Sequence, residues 1–149
     1  FTVNSMSTLF EERTLEFSSK IENINIVEQL IEEICETYAV GEENFGNILI
    51  GLTEAVNNAI SHGNRADESK MVHLTFKPSP TQLVFVIEDE GPGFDYNNLP
   101  DPTAPENIEQ PNGRGVFLMK HLADGVEFDK TGSTVELTFE HAVPAELAS

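Results

Sequence analysis

The chain has 149 residues, 39% of them hydrophobic, enough for one domain with a sizeable core and too few for a second. Its 26 acidic residues against 8 basic ones give a net charge of -18, which argues against direct binding of nucleic acid or an anionic membrane and leaves basic protein partners or plain solubility. The longest apolar run, Leu83 to Ile87, is far short of a membrane span and the first residues lack a leader pattern, so a soluble cytoplasmic protein is expected.

In chain order, Leu9 to Phe17 alternates loosely and suits an edge strand. Ser19 and Glu22 have the spacing of a capping box. Ile24, Val27, Leu30, Ile31, Ile34, Cys35 and Tyr38 then recur at three- and four-residue steps, which predicts an amphipathic helix. Cys35, the sole cysteine, lies on that stripe, where core packing is its expected role and an internal disulfide is impossible. Gly41 separates this helix from a second one carrying Phe45, Ile48, Leu49, Leu52, Val56, Ala59 and Ile60, with Gly63 and Asn64 suited to its C-terminal cap.

Met71 to Lys77 and Gln82 to Glu88 read as strands of a hairpin turning at Pro78 to Thr81. From Tyr96 to Asn112 periodicity disappears among four prolines, which predicts a lid over a bound ligand, an inert insertion being the alternative. Val116 to Ala123 forms a short helix, Val126 to Lys130 and Thr134 to Glu140 a second hairpin, and 141–149 a frayed tail. This order implies an α/β two-layer sandwich, a mixed and mostly antiparallel sheet covered on one face by helices.

Three segments carry the chemistry. At about 100° per residue, Glu54, Asn58, Ser61, His62 and Arg65 share one stripe of the second helix, opposite its apolar face. A solvated face is the ordinary reading, but Asn, Ser and His each cost roughly 0.5 kcal/mol of helix stability against alanine, so something besides helix formation selects them. The amide oxygen of Asn58 suits magnesium, and Glu54, one turn earlier, can orient a nucleophile. Asp89, held at a strand end beside Gly91 and Gly93, can accept a hydrogen bond from the exocyclic amine of adenine. Gly113-Arg114-Gly115 opens a helix whose free amides attract phosphate. Taken singly, each glycine pair reads better as an ordinary turn or helix entry. Other phosphate loops and cysteine-based zinc spacings are absent, and of the four histidines only His62 shares the stripe with Asn58.

In that order, Glu54 to Asn64 (EAVNNAISHGN), Asp89 to Gly93 (DEGPG) and Gly113 to Lys120 (GRGVFLMK) resemble the N, G1 and G2 boxes of the Bergerat-fold (GHKL) ATPases and kinases. With chain length and the closing Gly132-Ser133-Thr134-Val135, the sequence is most similar to bacterial anti-sigma factor serine kinases, over roughly Leu9 to Glu140. The resemblance implies ATP and Mg2+ as cofactors. It also implies phosphorylation of a serine on a STAS-type anti-sigma factor antagonist, sequestration of a sigma factor, and a homodimer. Residue by residue it implies Glu54 as catalytic base, Asn58 as magnesium ligand, Asp89 with Gly91 and Gly93 at adenine, Gly113 and Gly115 near the phosphates, and Thr134 beside adenine. Some members carry an arginine shortly before the second glycine pair, where this chain has Gln110 and Pro111; Arg114 is the candidate to replace it. That departure keeps a second function open, a nucleotide-responsive sigma-binding module without significant kinase activity. A sensor histidine kinase domain would require a phosphoacceptor helix, which is not found before Leu9.

Overall fold

The computed structural model describes residues 9–93 and 111–148, with the backbone alone at 111–114 and 148. Its strands are β1 (Arg13–Ser18), β2 (Met71–Pro78), β3 (Gln82–Glu88), β4 (Gly125–Phe128) and β5 (Thr134–Glu140). The helices are α1 (Ile24–Thr37), α2 (Glu42–Asn58), α3 (Pro111–Leu122) and a last turn, α4 (Ala145–Ala148). The strands form one sheet in the order β1-β2-β3-β5-β4, with β1 at an edge as its alternation predicts. Every described pairing is antiparallel, so the mixed sheet that the element order implied is an antiparallel one. The excursion from β3 through α3 and β4 brings β5 back beside β3 running the opposite way.

Strand alternation sends Val72, Leu74 and Phe76 of β2, Leu83, Phe85 and Ile87 of β3, and Val135, Leu137 and Phe139 of β5 to one face, all buried. The helices cover that face, α2 lying between α1 and α3. Their predicted stripes supply the other half of the core: Val27, Leu30, Ile31 and Ile34 from α1, and Ile48, Leu52 and Val56 from α2. A run of rings, Tyr38 to Phe76, Phe76 to Phe85 and Phe85 to Phe139, crosses the sheet with centroids 5.6, 5.1 and 6.0 Å apart. Each buried side chain of this size contributes about 1.5–3 kcal/mol. Cys35 is buried with them, and burial pushes its thiol up to about 11, as a packing residue requires.

Four local expectations give way to longer-range contacts. Ser19 caps no helix: its hydroxyl donates to Lys70 O at 2.8 Å, and α1 is entered through a 3-10 turn at Ile21–Asn23. Gly63 and Asn64 form no left-handed cap, because α2 runs on into a π-helical turn, Ala59–Gly63, and the left-handed residues are Arg65 and Ala66. Helix α3 starts at Pro111, a residue whose fixed φ and missing N–H suit a first helical position, so Gly113-Arg114-Gly115 lies within its first turns. The expected lid otherwise lies outside the described residues. The tail is tied down: His141 N–H and Val143 N–H donate to Thr81 O and Pro80 O, and the His141 ring meets Tyr38 O at 2.7 Å.

Candidate functional site

Where α2 passes into the π turn it draws away from the ends of β3 and β5 and leaves a pocket of ≈ 210 Å³. Ala55 and Ala59 on the helix and Ile87, Phe128 and Val135 on the sheet give it apolar walls. Its polar groups are few: Asn58, His62 and Arg65 from the helical side, Asp89 and Ser133 from the sheet side.

The π turn decides which side chains face this space. Asn64 N–H reaches back five residues to Ala59 O at 2.8 Å, and Ala66 N–H six residues to Ile60 O at 2.7 Å. Wider winding breaks the regular stripe after Asn58, and such turns recur at functional sites. Asn58, His62 and Arg65 therefore line the pocket, whereas Ser61 donates to Asn57 Oδ1 at 3.3 Å. Glu54 is half-buried one turn before Asn58 and outside the pocket wall.

Asp89 is fixed on several sides. Its N–H donates to Ser133 O at 3.0 Å, and Gly91 N–H donates to its Oδ1 at 2.8 Å. Gly63 faces the carboxylate so closely that a Cβ there would sit 2.3 Å from Oδ2, and a Cβ on Gly91 would sit 2.0 Å from Gly63 O. Gly93, at φ +83°, lies against Thr131 O, 1.7 Å from where its Cβ would be. Gly91 and Gly93 are thus required for close approach, and Gly93 also for its left-handed backbone. Burial raises the pKa of Asp89; the Gly91 N–H pulls it back, Asp129 pushes it further up, and Lys70 opposes. Asp129 is the pivot of the adjoining hairpin. What burial it has raises its pKa, but the N–H groups of Thr134, Gly132 and Ser133 and the Thr131 hydroxyl outweigh that, so its carboxyl lies below the usual range.

At the opposite end, Gly115 packs on Asn58: a Cβ there would lie 2.6 Å from Asn58 Nδ2. The second glycine segment and the magnesium candidate therefore meet where α3 crosses α2. Gly113 and Arg114 lie in the first turn of α3, and their side-chain surroundings are outside the described residues. Among the described residues no group of three His, Cys, Asp or Glu side chains can hold a metal. One amide oxygen at Asn58 fits magnesium only as carried by phosphate oxygens and water, the usual arrangement for that ion with a nucleotide.

The sequence-predicted residues Asn58, His62, Asp89 and Gly93 share one pocket. Thr134 does not line it: β5 alternation turns Val135 inward and Thr134 outward, and Thr134 N–H is taken by Asp129 Oδ1 at 3.3 Å. Ser133 lines the pocket instead. Sequence reasoning also missed Gly63 and Phe128 as pocket walls and Asn64 as a support. Gly63-Asn64, at the end of the segment that resembles the N box, is the available signal, and on residue pattern it reads as a helix cap.

An antiparallel sheet covered by three helices, with a pocket whose carboxylate is packed among glycines, fits an ATPase-type domain. The chain belongs to the histidine kinase-like ATPase domain family, whose profile matches residues 17–139, and ATP is the nucleotide that membership supports. Within that family its likeness is to RsbW proteins. It is similar to the serine-protein kinase RsbW of Bacillus cereus, 24% identical over 140 residues that cover 89% of this chain and 87% of the relative. RsbW of Bacillus anthracis and of Bacillus thuringiensis match with the same identity and coverage. Among solved structures, the RsbU and RsbW domains of Rv1364c from Mycobacterium tuberculosis share the fold at a TM-score of 0.57 and 13% identity, over 89% of this chain. The match spans only 32% of that longer protein.

Proposed function

We propose that this protein is an ATP- and magnesium-dependent anti-sigma factor kinase that phosphorylates a serine of a STAS-type antagonist and, in its other state, sequesters a sigma factor. The observation that carries this reading is the glycine-walled pocket that Asp89 and Asn58 both line, Asp89 packed on Gly63 and Gly91 and Asn58 on Gly115. Asp89 accepts from the adenine amine, and the apolar walls take the ring faces. His62 borders the nucleoside. Asn58 and the start of α3, with Gly113 and Gly115, hold the phosphate end, where Arg114 supplies positive charge. Bound magnesium supplies charge neutralisation and alignment of the phosphates. Glu54, one helical turn from Asn58, takes the proton of the attacking serine hydroxyl.

No helix among the described residues is long and apolar enough to cross a membrane, and a cytoplasmic homodimer belongs to the same proposal. With a net charge of -18, the sigma-binding face meets basic surface, so its affinity falls as salt rises. Incubation with labelled ATP, magnesium and candidate antagonists tests the reading: label on a serine of one antagonist is expected, abolished in Glu54→Gln while ATP binding persists. Transfer by Glu54→Gln at the parental rate removes Glu54 from the mechanism. Gln110 and Pro111, standing where some relatives carry arginine, favour one second reading, a sigma-binding module that binds nucleotide without transferring phosphate. ATP binding without label on any antagonist would select it.

A further inference from the structure

We infer that Asn64 is a positioning residue that sets adenine specificity by fixing the loop carrying Asp89; this rests on the reading of Asp89 as the adenine acceptor. Asn64 is fully buried, at 0% exposure, and uses its whole carboxamide. Nδ2 donates to Ser19 Oγ at 2.8 Å and to Met71 O at 3.0 Å, while Oδ1 accepts from Glu90 N–H at 2.7 Å. The orientation of the amide is forced, since Met71 O can only accept and Glu90 N–H can only donate. Ser19 in turn donates to Lys70 O, so the end of β1, the start of β2 and the Asp89 loop converge on one side chain. Glu90 adds a second tie, its carboxylate accepting from Met71 N–H.

The backbone of the same residue closes the π turn through Ala59 O. Asn64 is therefore the joint between the two pocket walls: its main chain sets the winding that presents His62 and Gly63, and its side chain holds the residue next to Asp89. Those walls touch, Gly63 lying against both Asp89 and Gly91, so a shift of either moves the carboxylate against the ring it reads. Hydrogen bonds at fixed separation discriminate, and a loop free to slide does not.

The test compares ADP with IDP, which carries a carbonyl where adenine carries its amine, in the presence of magnesium. Calorimetry is run below the melting point of each variant of the full chain. The parent is expected to prefer ADP by about 10- to 100-fold, the range of one hydrogen bond to a charged group. Asn64→Ala should bring the ratio to within about threefold of unity. In an Asp89→Asn background the ratio is already lost, and Asn64→Ala should change it no further. If Asn64→Ala does not fold, Ser19→Ala serves, since it removes the Oγ that accepts from Asn64 Nδ2, with a drop of about threefold expected from the loss of one neutral bond. A parental ratio in folded Asn64→Ala, or in Ser19→Ala where that variant replaces it, overturns the proposal and leaves Asn64 a core residue only. A parental ratio in Asp89→Asn shows instead that the assignment of Asp89 has failed, and the proposal falls with it.

Discussion

The two ends of the pocket are built differently. At the proposed adenine end, Asp89, Gly91 and Gly93 are held by backbone contacts from two other segments, the turn at Gly63 and the hairpin at Thr131 to Ser133, and almost nothing can shift without a collision. At the proposed phosphate end, Asn58 meets Gly115 across a helix crossing through the tip of a flexible side chain. A rigid end suits a ligand part that never changes, and an adjustable end suits phosphates that are transferred. Substitution should therefore cost stability at the first and turnover at the second.

The largest effect is expected from Gly93→Ala, which sets a Cβ 1.7 Å from Thr131 O at a left-handed φ. The expected loss is about 3 kcal/mol or more, lowering the melting temperature by about 6–12 °C and nucleotide affinity with it. A melt within a degree or two of the parent would show that the adenine end can give way. Asp89→Asn separates binding from folding. It should weaken ATP about 10- to 100-fold by calorimetry yet melt no lower than the parent. The sign comes from the raised pKa: the fold favours the protonated carboxyl, so its stabilising contribution is present below the unfolded pKa and lost as pH rises through the folded one. At neutral pH the charged form detracts from stability, and asparagine removes that cost. ATP affinity in the parent should for the same reason weaken on acidification from above the ordinary aspartate value of about 3.9, a limb absent in Asp89→Asn.

Gly115→Ala probes the other end. A gain of about 1 kcal/mol in helix propensity offsets the displacement of Asn58, so stability should stay within about 1 kcal/mol while phosphotransfer falls about tenfold. Adenine affinity should change less than about threefold, and an equal loss of both would erase the contrast between the ends. The smallest effect belongs to Ala66→Gly, which relieves a left-handed alanine at φ 57° and should add about 0.5 kcal/mol in a denaturant melt.

Periodicity made the helices, the strands and the position of Asp89 legible in the sequence, because stripes such as Val27 to Ile34 and the alternation of β3 are local properties. The missed parts are nonlocal or depend on counting. Ser19 and Asn64 find each other across 45 residues, so Ser19 looked like a cap. Ser133 and not Thr134 lines the pocket through a single step of strand parity, which flips a side chain to the other face. The π turn carries no compositional mark, and a regular stripe drawn through it put Ser61 beside His62 and left the place of Gly63 in the pocket wall unseen.

That turn has a consequence for how this molecule tolerates change in length. Four residues of α-helix turn about as far as five residues of this π turn, so excising one residue between 59 and 63 would convert the Asn64 to Ala59 bond into an ordinary α-helical one and leave the downstream chain facing nearly the same way, whereas an inserted residue would rotate it by about 100°. An insertion ahead of His62 would swing that ring off the pocket wall and take Asn64 out of reach of Glu90. Length scanning should therefore find insertions here poorly tolerated, even beside Ser61, where replacing the side chain costs little, and the deletion of Ser61 far better borne: here register, more than chemical identity, is what the gene must preserve.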